Sequence, residues 1–361
     1  MIEFDLRPSD HPIPERERDA IVRNPEFGKV FTDHMVTIRW TADQGWHDAR
    51  LEAYGPFTLD PATSVFHYAQ EFFEGLKAYR QENGSIAMFR PEANAARFNS
   101  SARRMAMPEL PEETFIEALE LLVAQDRDWV PAGEGNSLYL RPFMIATQRG
   151  LGVNHPSSEY LFCLIASPAA AYFSGGAKPV AVWLSREYTR AAPGGTGAVK
   201  CGGNYAAAFT AQQQAVDEGC DQVVWLDAAE HRWVEEMGGM NLFFVYGGNK
   251  IVTPALTGSL LPGITRDSLL HLAPELGIAA EEGRISIDQW QQQCAAGELT
   301  EVFACGTAAV VTPVGEVKGT DTAWTIGDGM TGPVTLRLRE ELMAIQYGHV
   351  ADPFGWVHKV C

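Results

Sequence analysis

One lysine, Lys200, sits in the stretch Gly194 to Tyr205, which reads Gly-Gly-Thr-Gly-Ala-Val-Lys-Cys-Gly-Gly-Asn-Tyr. Glycines crowd this stretch, and without their side chains a bulky partner can come close to the main chain. A lysine amine attacks a carbonyl carbon once it is unprotonated, and desolvation or neighbouring positive charge lowers its pKa far enough to permit that. A Schiff-base lysine is therefore one reading. A phosphate-binding loop is another, but it needs Gly-Lys followed by Ser or Thr; Lys200 does not follow a glycine, and Cys201 stands where the hydroxyl belongs. The third is a flexible surface loop with a solvated lysine, and the stretch alone does not choose between that and the imine.

A pyridoxal phosphate enzyme needs four things besides the lysine: an anion site, an acid beside the ring nitrogen, a hydrogen bond to the phenolic oxygen, and a slot for the substrate carboxylate. Pro262-Gly-Ile-Thr265 precedes a helix expected near Arg266, so its amides would sit at a helix N-terminus, where unpaired donors and the dipole favour an anion; an ordinary helix start has the same pattern. Gly306-Thr-Ala308, inside an apolar run, offers a second turn for phosphate or carboxylate oxygens, or a simple bulge. Glu235 and Glu236 enter an apolar strand, as a charged rim or as the acid for a pyridine nitrogen. Arg90, between Ile-Ala-Met-Phe and Pro91, is suited to two-point contact with phosphate. Tyr139 and Arg141, two apart on a strand, share a face and suit a carboxylate or a structural pair.

The elements that must position these residues alternate between strand and helix patterns, which points to an α/β or α+β chain. Residues 1–26 form a charged, Pro-rich arm. Met35–Trp40 and Ala49–Pro56 read as a hairpin, Ile86–Phe89 as a strand, and Glu92–Met105 and Thr114–Val130 as helices. Leu138–Ile145 reads as a strand interrupted at Arg141-Pro142, and Tyr160–Ser167 as a central strand apolar on both faces. The small, Gly-rich segment 171–179 is the expected linker between an N-terminal domain over 1–170 and a C-terminal domain over 180–361. Beyond it come a strand at Val180–Ser185, a helix over Asn204–Glu218, strands at Gln222–Leu226, Met240–Tyr246 and Lys250–Pro254, and helices over Thr265–Leu276 and Ile287–Ala296. A long strand over Glu301–Pro313, broken at Gly306-Thr307, and an amphipathic helix over Thr335–Tyr347 close the series.

A formal charge of −18 argues against nucleic acid or an anionic membrane as the main partner. No apolar run approaches the roughly 20 residues of a membrane span, and Met1 to Arg18 has neither a secretory nor a transit pattern, so cytoplasm is expected. The six cysteines form no Cys-x-x-Cys, which points to reduced thiols, and no metal cluster is visible.

Taken in order, the chain resembles the branched-chain amino acid aminotransferases of the fold-type IV pyridoxal phosphate enzymes. The matching segments are Phe27-Gly-Lys-Val-Phe-Thr-Asp-His-Met35, His67-Tyr68, Phe73-Glu-Gly-Leu-Lys-Ala78, Phe89-Arg-Pro91, Ser137-Leu-Tyr-Leu-Arg-Pro142, Ala171-Tyr-Phe-Ser-Gly-Gly176, Lys200 with Gly202-Gly-Asn-Tyr205, Glu236 through Asn241, Leu261-Pro-Gly263, Gly306-Thr-Ala308 and Ile345-Gln-Tyr-Gly348. The resemblance implies a smaller N-terminal α/β domain and a larger C-terminal mixed-sheet domain. It implies that Lys200 bonds the pyridoxal phosphate aldehyde and then moves the substrate Cα proton, that Tyr205 meets the phenolic oxygen, and that Glu236 meets the ring nitrogen. Arg90, the Ile264 and Thr265 amides and Thr307 would hold the phosphate, with Thr307 and Ala308 receiving the substrate carboxylate. Phe27, Tyr68, Phe73, Tyr139 and Tyr172 would wall an apolar pocket, and Arg141 would meet the distal carboxylate of glutamate or 2-oxoglutarate. Leu151 and Val153 would reach the partner's site in a homodimer. Ala309 and Thr312 stand where some animal members carry a redox-sensitive Cys-x-x-Cys, and Gly239 stands where they carry threonine. Rival readings are a D-amino-acid aminotransferase or aminodeoxychorismate lyase of the same fold, or a non-catalytic small-molecule binder.

Overall fold

The structure, a computed structural model, describes residues 2–170 and 178–361. In chain order the elements are β1 (Phe4–Arg7), α1 (Glu15–Arg23), β2 (His34–Thr41), β3 (Gly45–Ala53), α2 (Val65–Tyr68), β4 (Glu71–Phe73), β5 (Leu76–Arg80), β6 (Ile86–Phe89), α3 (Pro91–Arg104), α4 (Glu112–Gln125), β7 (Ser137–Ala146) and β8 (Glu159–Ala169). They continue with β9 (Val180–Leu184), α5 (Gly202–Ala206), α6 (Phe209–Asp217), β10 (Gln222–Leu226), β11 (Val234–Met237), β12 (Met240–Tyr246), β13 (Lys250–Pro254), α7 (Ile264–Glu275), β14 (Ala279–Gly283) and α8 (Ile287–Ala295). Last come β15 (Leu299–Gly306), β16 (Val310–Gly319), β17 (Thr322–Thr325), α9 (Pro333–Gln346) and β18 (Val357–Lys359).

The chain divides into two compact units, Met1–Tyr172 with Ala344–Cys361, and Phe173–Met343. Most of the expected linker, residues 171–177, lies outside the described residues. The C-terminal segment counts with the first unit because β18 pairs antiparallel with β6, Val357 opposite Phe89. The second unit is therefore no larger than the first and stops short of 361.

The first unit carries a sheet in the order β1-β3-β2-β8-β7-β5-β6-β18, with β4 on β7. β8 is central, which is why it is apolar on both faces. Helices α3 and α4 cover the sheet through Phe98 and Phe115, which meet Phe162 of β8 at 5.6 and 6.1 Å between ring centroids. Each such ring, fully buried, stabilises the fold by about 1.5–3 kcal/mol. The N-terminal arm is docked: β1 pairs with β3, Ser9 N–H donates to His34 Nε2 at 2.9 Å, and Ile13 N–H donates to Asp33 at 2.7 Å. α4 ends at Gln125, short of the expected Val130, and a single 3₁₀ turn follows at Arg127–Trp129.

β7 runs through Arg141-Pro142 without the expected interruption. Pro142 presents its edge to the break between β4 and β5, where its carbonyl accepts the Glu74 amide at 2.7 Å and a missing N–H disturbs no regular pair.

At the far edge His358 of β18 faces a carboxylate from each ring nitrogen, Nδ1 to Glu92 and Nε2 to Glu120, both at 2.8 Å. Both nitrogens must carry protons to donate. Partial burial lowers the His358 pKa, but the hydrogen bonds and charges of Glu120 and Glu92 outweigh it, so the pKa stands above its ordinary value. A raised folded pKa means the stabilisation is complete below the unfolded value of about 6.5 and is lost as pH rises through the folded value. Replacing His358 with Gln is expected to lower unfolding free energy at pH 6 by up to about 1 kcal/mol and to change little at pH 9. Equal losses at both pH values, by denaturant titration, would show that the charge is irrelevant.

The second unit carries a sheet in the order β11-β10-β9-β16-β15-β12-β13-β14, with β17 on β16 and β11 also paired with β12. The expected strand over Glu301–Pro313 is a hairpin instead, β15 reversing into β16 with Gly306 opposite Val310. Both arms are apolar and nearly continuous in sequence, so the turn shows only as Gly306 and Thr307. Val310 leaves that turn at φ 60, a left-handed conformation that β-branched residues adopt at a cost. The expected helix over Asn204–Glu218 is split into α5 and α6 at residues 207–208. Among the described residues no helix is long and apolar enough to cross a membrane.

Candidate active site

In the second unit Lys200 lies in the loop between β9 and α5, and its Nζ donates to the Tyr205 hydroxyl at 3.0 Å. Contacts other than those of the lysine shape the loop. Asn204 donates to the carbonyls of Thr196 and Val199 at 2.8 and 2.9 Å and accepts from the Thr196 hydroxyl at 2.9 Å. Gly197 packs so closely that an added Cβ would stand 2.2 Å from the Ser259 carbonyl oxygen, which is why glycine is required there.

Glu236, on β11, is buried at 1% exposure. Its Oε1 accepts the Leu261 amide at 2.6 Å and the Asn241 side-chain amide at 3.4 Å. Its Oε2 is paired electrostatically with Arg190 Nε at 3.0 Å, yet has no hydrogen-bond donor. Burial raises the Glu236 pKa, against the opposing pull of Arg190, the Leu261 amide and Lys200. Arg190 is itself buried, and its remaining donors reach the carbonyls of Ser259 at 2.9 Å and Gly197 at 3.4 Å. One arginine thus joins the acid to the lysine loop.

Strand register brings the other candidates of this unit to one end of the sheet. Glu236 is opposite Asn241, and Asn241 is opposite Cys305, so the Thr307–Ala309 turn lies at the same end as Gly238-Gly239. Gly239 stands beside Tyr205, 3.3 Å separating the ring from where a Cβ would be. α7 begins at Ile264, with Gly263 as its N-cap and no side-chain cap hydrogen bond, so Ile264 and Thr265 occupy the first helical positions.

In the first unit the structure groups Phe27, Phe73, Tyr139 and Arg141. The Arg141 guanidinium carbon lies 4.6 Å from the Phe73 ring centroid and 5.3 Å from that of Tyr139, and Nη2 donates to the Tyr139 hydroxyl at 3.3 Å. Phe27 meets Tyr139 edge-on at 4.8 Å. The Tyr139 hydroxyl fits over the β4–β5 break only because residue 75 is glycine, whose Cβ would stand 2.0 Å away. The buried Glu74 carboxylate fixes that break to α3 through Arg97 at 2.7 and 2.8 Å and Asn94 at 2.6 Å. Arg141 Nε is buried without a hydrogen-bond partner. Tyr68 donates to the Leu151 carbonyl at 2.5 Å, and Tyr68 and Val153 line one surface pocket of about 560 Å³. Arg90 follows β6 and is the N-cap residue of α3. Tyr172 lies outside the described residues.

Comparison with known proteins decides the family. The model of the class IV amino-transferase family matches residues 71–317. A probable branched-chain-amino-acid aminotransferase of Streptomyces coelicolor is 64% identical, covering 98% of both chains, and a branched-chain-amino-acid aminotransferase of Mycolicibacterium smegmatis is 61% identical, covering 99% of this chain and 98% of its own. The chain belongs to the branched-chain amino acid aminotransferases of class IV. Among solved structures, a T.th. branched-chain amino acid aminotransferase complexed with N-(5'-phosphopyridoxyl)-L-glutamate superposes with a TM-score of 0.72 at 30% identity, covering 90% of this chain and 98% of that one. The Escherichia coli enzyme gives 0.71 at 28% identity over 90% and 99%.

This aminotransferase therefore uses pyridoxal phosphate. Its residues fit that cofactor: a buried carboxylate oxygen without a donor, Glu236 Oε2, is what a protonated ring nitrogen requires. Three groups of the aminotransferase carry little signal of their own in the sequence. Arg190 is ten residues before Lys200 in a polar stretch with no motif. Asn241 shows only as the end of a family segment. Trp356 is an ordinary aromatic near the C-terminus, without a spacing pattern of its own.

Proposed function

We propose that this aminotransferase moves the amino group between leucine, isoleucine or valine and 2-oxoglutarate, in two half-reactions at one site. The observation that carries the reading is the Lys200 amine against the Tyr205 hydroxyl, on a loop that Arg190 joins to Glu236. Bound pyridoxal phosphate supplies an electron sink for the substrate Cα. Lys200 Nζ would anchor the cofactor and then carry the proton between the substrate Cα and C4′ of the cofactor. Tyr205 orients the lysine and donates to the phenolic oxygen. Glu236 would face the ring nitrogen's proton, and the Arg190 guanidinium beside it opposes the rise that burial gives that carboxyl's pKa. Arg90, the first amides of α7 and Thr307 bind phosphate, and Thr307 with Ala308 binds the substrate carboxylate. Phe27, Tyr68, Phe73 and Tyr139 exclude water around the alkyl group, while Arg141 receives the second carboxylate of the dicarboxylic partner.

An apolar wall discriminates by only about 1–3 kcal/mol per methylene, so broad acceptance of the three branched substrates follows. Leu151 and Val153, 62% and 68% exposed, support a homodimer in which a second copy covers them. The reading places the enzyme in the cytoplasm.

Arg141→Ala tests the dual pocket. KM for glutamate and 2-oxoglutarate is expected to rise about tenfold or more, since a charge-assisted contact is lost, with leucine changing much less. Equal increases for both classes in steady-state kinetics would remove Arg141 from the role.

A further inference from the structure

We infer that Trp356, presented by the C-terminal segment, is a positioning residue for Arg90, an inference that rests on the reading of Arg90 as a phosphate ligand. Arg90 has φ 52 and ψ 47, a left-handed conformation rare for a residue with a side chain, and surrounding structure must hold it there. Trp356 addresses both parts of it. The Arg90 amide donates to the Trp356 carbonyl at 2.8 Å, and the guanidinium carbon lies 5.0 Å from the Trp356 ring centroid, within cation–π range.

The indole is itself fixed. Phe354 stacks on it at 4.0 Å with planes 16° apart, and Phe89 meets it edge-on at 5.7 Å. Asp352 closes the turn that presents it, accepting from the amides of Phe354 at 3.1 Å and Val357 at 2.7 Å. β18 then pairs with β6, the strand that ends just before Arg90, and His358 ties it to α3 and α4. An aromatic face restrains the otherwise rotamer-rich guanidinium without competing for its in-plane N–H donors. A carboxylate in the same place would occupy those donors and weaken phosphate binding.

The test is equilibrium binding of pyridoxal phosphate, and of pyridoxal without its phosphate, to the full-length chain stripped of cofactor, read by absorbance. Trp356→Leu is expected to weaken pyridoxal phosphate by roughly 3- to 30-fold, the range of a partly buried cation–π contact, and to leave pyridoxal unchanged. Trp356→Phe should restore most of the loss. In an Arg90→Ala background, itself weakened more, Trp356→Leu should add nothing. Normal pyridoxal phosphate binding by Trp356→Leu beside a weakened Arg90→Ala overturns the positioning role alone; normal binding by Arg90→Ala overturns the phosphate reading itself. Equal weakening of both ligands by Trp356→Leu would mean lost packing and also overturns the inference. If Trp356→Leu fails to fold, Phe354→Leu, which removes one support of the indole, is read against the same outcomes.

Discussion

Lys200→Ala is expected to abolish transamination between leucine and 2-oxoglutarate, a loss of at least about 10⁴-fold, while the protein unfolds within about 1 kcal/mol of the parent. The two halves of that expectation have separate causes. Activity goes because the amine beside the Tyr205 hydroxyl, which can both bond an aldehyde and carry a proton, is removed. The fold stays because Asn204, Arg190 and the Gly197–Ser259 contact shape the loop, and none of them uses the lysine amine. Lys200→Arg separates charge from chemistry, since a guanidinium keeps its proton at any working pH. Both variants should be inactive in a steady-state assay with a normal thermal melt. Activity retained by Lys200→Arg would reduce the lysine to an electrostatic role and revive the binder reading.

Glu236→Gln is expected to lower kcat/KM on the order of 100-fold or more, the scale for removing one preorganised electrostatic contact at a reacting group. Glutamine keeps the size of the side chain and an acceptor for the Leu261 amide. It removes the negative charge that faces Arg190 and would face a ring nitrogen. It also leaves Arg190 buried beside a neutral partner, and breaking one side of a buried pair costs about 3–5 kcal/mol. Kinetics must therefore be measured alongside stability. Glu236→Gln with Arg190→Met removes both charges and should recover much of the stability but none of the activity. Recovery of turnover in the double variant would show that the carboxylate serves only to neutralise its arginine.

Much of this arrangement is legible in the sequence because its signals are local. Strand β8 announces its central place by being apolar on both faces, and α7 by the Gly263 start and the Gly277 stop, whose φ of 73 is the left-handed cap that ends helices. Lys200 stands out because glycines surround it, whereas Tyr205 and the choice of Glu236 over Glu235 come only from the family resemblance. What is not legible depends on contacts distant in sequence. Nothing near Arg190 says that it will meet Glu236, far along the chain, since only the folding of β9, β10 and β11 into one sheet brings the two together. The β15–β16 reversal reads as one strand because a short turn ending in Val310 lacks the usual turn chemistry. β18 is three residues long and exists only as the partner of β6.

That last pairing bears on how the polypeptide is made. The ribosome delivers the whole of Phe173–Met343 before the segment 344–361 that closes the outer edge beside β6. The later unit is one uninterrupted stretch, whereas the earlier one can close this edge of its sheet only once the last residues have been made. In the interval β6 presents an unsatisfied border, the kind of surface that chaperones shield.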